Sequence, residues 1–155
     1  DEAVNAARRD HGVEILFTRE AGRGVLGHFK RNRLVAFLSD QDARGHGVFV
    51  PFFGRPASTP RGAAAYVLRL GVPLMFVSCL RLPRGRFEIE FLEVPIEPDW
   101  TFCDEHVAAL TARYTALLEE RIRRHPEQWF WMHRRWKTRP GEEKRNTDYA
   151  DEKQD

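Results

Sequence analysis

The chain has little of what specialised compartments or familiar catalytic motifs require. It holds only two cysteines, Cys79 and Cys103, with no redox or metal-ligand spacing, so nothing asks for an oxidising compartment or a zinc site. No apolar run approaches the ~20 residues of a membrane span, and no secretory leader is read at its start. Charge of one sign is missing as well. The formal net charge is +2, so the overall balance does not demand nucleic acid. G-x-S-x-G, H-E-x-x-H, P-loop and G-x-G-x-x-G motifs are all absent. Serine-esterase, zinc-protease, nucleotide-hydrolase and dinucleotide readings lose their usual signatures.

What is present is enough for a core: 155 residues, 42% hydrophobic and 31% charged. Val13–Phe17 and Leu34–Ser39 are apolar runs of strand length, and the second is continuous, as in a strand covered on both faces. Between them, Val25, Leu26 and Phe29 recur at helical spacing over Ala21–Asn32. Gly62–Leu70 reads as a helix with Gly71 after its end. Pro73–Leu80 is a second buried-strand candidate, with Cys79 a small core residue. Arg86–Glu93 alternates Phe87, Ile89 and Phe91 with Glu88 and Glu90, the pattern of a half-exposed, antiparallel edge strand. Thr101-x-x-Asp104 opens a helix whose stripe is Val107, Leu110, Tyr114, Leu117, Leu118 and Ile122. The order β-α-β-α-β-β-α predicts an α/β fold, a mostly parallel sheet flanked by helices. Residues 1–140 form part of one domain and 141–155 a polar, disordered tail. The opening Asp-Glu-Ala-Val-Asn-Ala-Ala-Arg-Arg-Asp reads as mid-helix, which points to an incomplete domain.

Four stretches could carry chemistry. Asp40-Gln41-Asp42 sits past a strand candidate, where open α/β sheets bind ligands; the competing reading is a solvated turn. Val48–Phe53 (VFVPFF) is either core or the wall of a pocket for something greasy, and Pro51 keeps it out of a central strand. Ser58 or Thr59 stands near the start of the next helix, where an anion could rest beside Arg61, or where simple capping suffices. Trp129–Lys137 interleaves aromatic and basic residues. It suits a membrane interface, stacking on bases, or plain anchoring of the C-terminal segment by Trp129 and Trp136.

Read together, these pieces resemble the lipid A biosynthesis acyltransferase family. The matching residues are Arg8-x-x-x-Gly12, Asp40-Gln41-Asp42 and Val48-Phe49-Val50-Pro51-Phe52-Phe53-Gly54-x-Pro56-Ala57-x-Thr59-x-x-Gly62. Gly71-Val72-Pro73, Arg81 and Thr111 follow, then Pro126-Glu127-Gln128-Trp129-x-Trp131-x-His133-Arg134-Arg135-Trp136-Lys137-x-Arg139-Pro140. The match spans residues 8–140.

The resemblance implies a glycerolipid-acyltransferase-like fold. It implies transfer of a fatty acyl group from acyl carrier protein, or from acyl-CoA, to a hydroxyl of a lipid A precursor at the cytoplasmic face of the inner membrane. A histidine oriented by a carboxylate takes the hydroxyl proton, and the thioester brings its own leaving group, so neither metal nor cofactor is implied. The family places that pair in an H-x-x-x-x-D/E motif. None of the six histidines here has an acid five positions on, and Gly27-His28-Phe29 has Arg33 there. The pair is expected upstream, and the chain alone is expected to be inactive.

By the same resemblance, Asp40 lines the crevice with Gln41 and Asp42 beside it. Arg8 or Arg9, Thr59 and Arg81 are substrate-side residues. Phe49, Pro51, Phe52 and Phe53 form an apolar wall near the acyl chain. Arg134, Arg135 and Lys137 face anionic headgroups or brace the fold. The expected partners are acyl carrier protein, the lipid A precursor and the inner-membrane surface, with no nucleic acid. The alternative is a non-catalytic lipid-binding module of the same fold.

Overall fold

A computed structural model describes residues 2–16 and 21–141, which fall into two units meeting at Phe37 and Leu38. Phe17 of the first strand expectation and the tail past Gly141 lie outside the described residues.

The first unit carries helices α1 (Glu2–Asp10) and α2 (Ala21–Lys30). In α1 the acid Glu2 opens the helix and Arg8 and Arg9 close it, the arrangement its dipole favours. Val25 and His28 of α2 are buried. Residues 13–16 and 34–37 are not strands, a correction to both readings. An apolar run becomes a strand only where a neighbour completes its ladder and covers its faces. Neither happens among the described residues. Leu34 is 88% exposed, and Glu14 is held by side chains instead, by Arg33 and by His28 at 3.5 Å.

The second unit builds two hairpins and two helices: β1 (Val48–Phe52), β2 (Arg55–Thr59), α3 (Gly62–Leu70), β3 (Met75–Arg81), β4 (Phe87–Glu93) and α4 (Asp104–Arg124). The class remains mixed α and β, but the parallel sheet is replaced. Both described sheets are two-stranded and antiparallel, β1 with β2 and β3 with β4. The reason lies in the connections. β1 and β2 are joined by only Phe53 and Gly54, and a two-residue link permits no crossover. Pro51 is accommodated because such a hairpin has edges on both sides.

That turn is unusual. Phe53 and Gly54 both have positive φ, 50° and 73°, the primed-turn geometry that matches strand twist. Glycine takes it freely, whereas a phenylalanine there is strained and must be held by its surroundings. The Phe53 amide donates to Glu119 Oε2 at 2.6 Å, Arg123 lies over the ring, and Phe52 meets it edge-on.

α4 supplies the spine of this unit. Its buried stripe is Val107, Leu110, Thr111, Tyr114, Thr115 and Ile122, close to the expected face. Its cap is Cys103, whose Sγ accepts the His106 amide at 3.4 Å, and not Thr101; the backbone of Thr101 bonds the His106 ring instead. Ala63, Ala64 and Val67 of α3 are buried, and small side chains let α3 approach α4 closely. Phe52, Ala57 and Ile122 form a buried cluster against which Trp129 and Trp136 pack.

The β3–β4 hairpin leans one face on α4, where Arg121 pairs with Glu90. Its other face carries Val77, Cys79, Phe87, Ile89 and Phe91, all exposed. Cys79 is therefore a surface residue, not a core one. The period-two pattern was read correctly, but the aromatic side points to solvent.

Phe52 is fully buried beneath two indoles, so Phe52→Ala should destabilise the second unit by about 3–5 kcal/mol. The drop in denaturation midpoint measures this. A change below about 1 kcal/mol would mean the site collapses around the smaller side chain.

Candidate functional site

The acidic triplet lies in the loop that leads into β1, and Asp42 is the most connected of its members. Its amide donates to His133 Nε2 at 2.9 Å. Its carboxylate accepts the Arg44 amide at 3.2 Å, the Thr138 hydroxyl at 2.9 Å and the Thr138 amide at 3.4 Å. A ring nitrogen that accepts an amide N–H carries no proton, so His133 holds its proton on Nδ1. Arg44 lies two positions after Asp42 and Thr138 ninety-six positions after it, so one side chain shapes its own turn and ties down a distant part of the chain.

Arg135 closes the same tie from the other side. It is 1% exposed, donates from Nη1 to the Ser58 carbonyl at 2.6 Å and from Nη2 to Thr59 Oγ1, and lies over the Phe52 ring. No carboxylate reaches ion-pair distance among the described residues. Burial pushes its guanidinium below the ordinary arginine value, and the negative charges of Asp42 and Asp40 oppose that shift. Arg135 thus braces the fold, one of the two roles expected of it. Thr59, expected on the substrate side, is 1% exposed and engaged with Arg135 and the Ala57 carbonyl. Neither Ser58 nor Thr59 caps α3. Both belong to β2, and Arg61 at the helix start pairs with Asp104 at 2.6 Å.

Close packing fixes the loop further. The Ala43 amide donates to the Ser58 carbonyl, and the Ser58 hydroxyl donates to the Arg44 carbonyl at 2.6 Å. A Cβ on Gly47 would meet Ala43 Cβ at 2.7 Å and the Thr59 amide nitrogen at 2.9 Å, so only glycine lets the loop lie on β2. Beneath it, Tyr114 donates to the Pro60 carbonyl at 2.6 Å. Burial pushes its phenol up, partly offset by bonds to Thr111 and Ser39 and by Arg135.

With Asp42 committed, Asp40 stands apart. It is half-buried, lies close enough for Arg135 to feel its charge, and has no hydrogen-bond or ion-pair partner among the described residues. Gln41 beside it is exposed. The arrangement offers one carboxylate for a basic ligand or side chain, at the end of a loop held rigid from below.

The apolar wall divides. Phe52 is core, Phe49 and Pro51 lie on the opposite face of β1, and Phe53 is half-buried next to Trp131. A separate open groove of about 340 Å³ is lined by Val67, Val72, Pro73, Ile96 and Trp100, and none of the wall residues reaches it. Arg134 and Arg81 are exposed. Arg8 and Arg9 belong to the first unit, where Arg8 bonds Asn5 and Arg9 pairs with Glu2. His28 of that unit has a carboxylate neighbour that its sequence spacing hid, Glu14. Its other nitrogen faces Arg31 at 3.4 Å, and the ring is 7% exposed, so both nitrogens are used inside the fold. No cluster of metal-binding side chains occurs among the described residues.

Residues 1–138 match the family model for bacterial lipid A biosynthesis acyltransferase. The chain belongs to this family. It is 31% identical over 141 residues to the lipid A biosynthesis palmitoleoyltransferase of Escherichia coli, covering 90% of this chain and 45% of that protein. The lipid A biosynthesis lauroyltransferase of the same organism is 29% identical over 127 residues, 81% of this chain and 40% of the relative. A phosphatidylinositol mannoside acyltransferase of Mycobacterium tuberculosis is 27% identical over 107 residues, 69% and 32% respectively. The chain thus spans less than half the length of these relatives. No helix among its described residues is long and apolar enough to cross a membrane.

One measurement probes the brace. Arg135→Met should remove one charge-assisted bond from the Ser58 carbonyl and one from the Thr59 hydroxyl, leaving them the Ala43 amide and the Ala57 carbonyl, at about 1.5–3 kcal/mol per bond, read from the denaturant midpoint. Unchanged stability would show the loop is held without it.

Glu119 tests the turn. Burial acts to raise its carboxyl, but the Phe53 amide and Arg123 outweigh that and lower it. A lowered native value contributes stability above the unfolded carboxylate range, lost as pH falls through the native value. Glu119→Gln should therefore be less stable than the parent at neutral pH, with the gap closing in acid. A gap that widens in acid would contradict the assignment.

Proposed function

We propose that the chain is the acceptor-side part of an acyltransferase that moves a fatty acyl group from an acyl carrier protein or acyl-CoA thioester to a hydroxyl of a lipid A precursor. The observation that carries this reading is the family match over residues 1–138, with relatives whose names are those of acyltransferases acting in lipid A or glycolipid synthesis. The place of action is the cytoplasmic face of the inner membrane.

The geometry supports a division of roles. Asp40, with no hydrogen-bond or ion-pair partner among the described residues, orients the basic group that works on the acceptor hydroxyl, while Asp42 and Arg135 keep its loop fixed. Rigid support matters because misplacing a reacting group by about 1 Å can cost roughly 10²-fold in rate. Exposed Arg134 and Arg81 are placed for phosphates, which guanidinium groups bind bidentately. Phe49, Pro51 and Phe53 offer apolar surface to the acyl chain, and Phe52 supports them from the core.

The proton acceptor is a histidine followed five positions on by an acid, and none of the six histidines here is followed so. His28 has both ring nitrogens engaged, and His133 Nε2 is taken by the Asp42 amide. The thioester needs no metal to leave, because the thiolate is a competent leaving group.

The test joins this chain to the upstream half of the Escherichia coli palmitoleoyltransferase and measures acyl transfer to a lipid A precursor. The chain alone should give none, and the joined protein should turn over. In the joined protein, Asp40→Asn should lower kcat/KM by about 10²-fold or more with circular dichroism matching the parent. Parental turnover in that variant would remove Asp40 from the site, and turnover by the unjoined chain would refute the missing base.

A further inference from the structure

Three consecutive apolar side chains project from the second unit. Phe130 is 63% exposed, Trp131 52% and Met132 85%. Single exposed apolar residues are ordinary, but a contiguous run is not. Their exposure is not slack. Trp129 before them and Trp136 after them pack on Phe52, so both ends of the segment are pinned in the core. Between the pins, the Trp131 amide donates to the Trp129 carbonyl at 2.9 Å and the His133 amide to the Phe130 carbonyl at 3.1 Å. The Trp131 indole N–H turns back to the Pro126 carbonyl at 2.7 Å. The polar edge of that indole is satisfied by the protein, and its apolar remainder is left for something else. Because the tip is ordered beforehand, binding would cost little conformational entropy.

The charge around the tip is mostly positive once internal pairs are removed, with exposed Glu88 of β4 an acid that keeps no ion pair among the described residues. The Gln128 side chain donates to the Arg81 carbonyl at 3.0 Å and accepts its amide at 2.9 Å, clamping the end of β3 to the base of the tip. Arg84 and Arg86 follow in the turn beyond Arg81, and Arg134 stands two residues after Met132; all are exposed and have no acidic partner among the described residues. The neighbouring acids are largely spent. Glu119 pairs with Arg123, Glu120 with Arg124, and Glu127 lies 3.7 Å from His125. An apolar tip containing Trp, rimmed by arginines, is complementary to an anionic lipid surface, where the apolar residues enter the acyl boundary and the guanidiniums meet phosphates.

We propose that Phe130, Trp131 and Met132 form a lipid-inserting tip that docks this chain on an anionic membrane surface. The inference deepens the proposed place of action and rests on it, but it does not depend on catalysis. An acidic protein partner would satisfy the arginines, yet it gives no reason to project three apolar side chains past them.

The test sediments the full chain with vesicles of phosphatidylcholine, with and without phosphatidylglycerol, at low and high salt. Binding should require phosphatidylglycerol and weaken with salt. Phe130→Ser with Met132→Ser should reduce partitioning roughly tenfold or more, since two exposed apolar side chains lose their burial in lipid. Circular dichroism should match the parent, because neither side chain is packed in the core. Arg84→Gln with Arg86→Gln should reduce binding to anionic vesicles and lessen its salt dependence. Equal partitioning of parent and double-serine variant would overturn the proposal, as would equal binding to both vesicle types. So would a second copy covering the tip, seen as a dimer in solution that the double-serine change dissolves while vesicle binding stays unchanged. Activity of the joined protein on detergent-dispersed acceptor reports separately on acyl transfer, so either reading can fail without the other.

Discussion

A guanidinium with no carboxylate in contact among the described residues sits inside the second unit. Burying Arg135 costs solvation that its Nη1 and Nη2 bonds recover only in part, and its Nε finds no partner. The π face of Phe52 and the field of Asp40 and Asp42 supply the remaining compensation. A lysine would not substitute, because its ammonium is a point charge while the arginine fork reaches a carbonyl and a hydroxyl together. What the structure gains is a link across the chain: the segment after α4 is fastened to β2 at one of the best-buried places available.

That link decides what the acidic loop can do. Asp42 spends its hydrogen-bonding capacity on Arg44, Thr138 and, through its amide, His133. The loop cannot move without breaking several bonds at once, and Gly47 packed on β2 leaves it no room to do so. Asp40 is held by the same loop yet keeps its carboxylate uncommitted. A triplet that reads as three equivalent polar residues is therefore asymmetric, with a structural acid at one end and an available one at the other.

How far the sequence could reveal this depended on the range of each interaction. Helix α4 was legible because its apolar stripe recurs over 21 residues and needs no partner to be recognised. Helix α3 and strands β3 and β4 were legible for the same local reason. The sheet was not. Leu34–Ser39 is apolar enough for a buried strand, but pairing is a property of neighbours, and none lies alongside it among the described residues. The β1–β2 hairpin was hidden because its turn is Phe-Gly in place of the usual Asn-Gly, and the phenylalanine is kept there by Glu119, sixty-six residues away. At the site, the acidic loop stood out by composition, whereas the partner of Asp42 was a threonine with no distinguishing pattern. His133 seemed to lack an acidic partner because its partner is a backbone amide.

The Trp–Arg block shows why composition left three readings open and burial separates them. Trp129, Arg135, Trp136 and Thr138 turn inward, while Phe130, Trp131, Met132 and Arg134 turn outward. Anchoring accounts for the first set completely. It cannot account for the second, since a side chain that is 85% exposed contributes almost nothing to the core. The two indoles packed on Phe52 have withdrawn their faces from any stacking partner, which leaves Phe130 and Trp131 as the outward aromatics. The outward set combines an ordered apolar tip with unpaired arginines, and the surface that satisfies both at once is one with phosphates above and hydrocarbon below. One stretch of ten residues then serves two ends, because its inward half makes the outward half rigid.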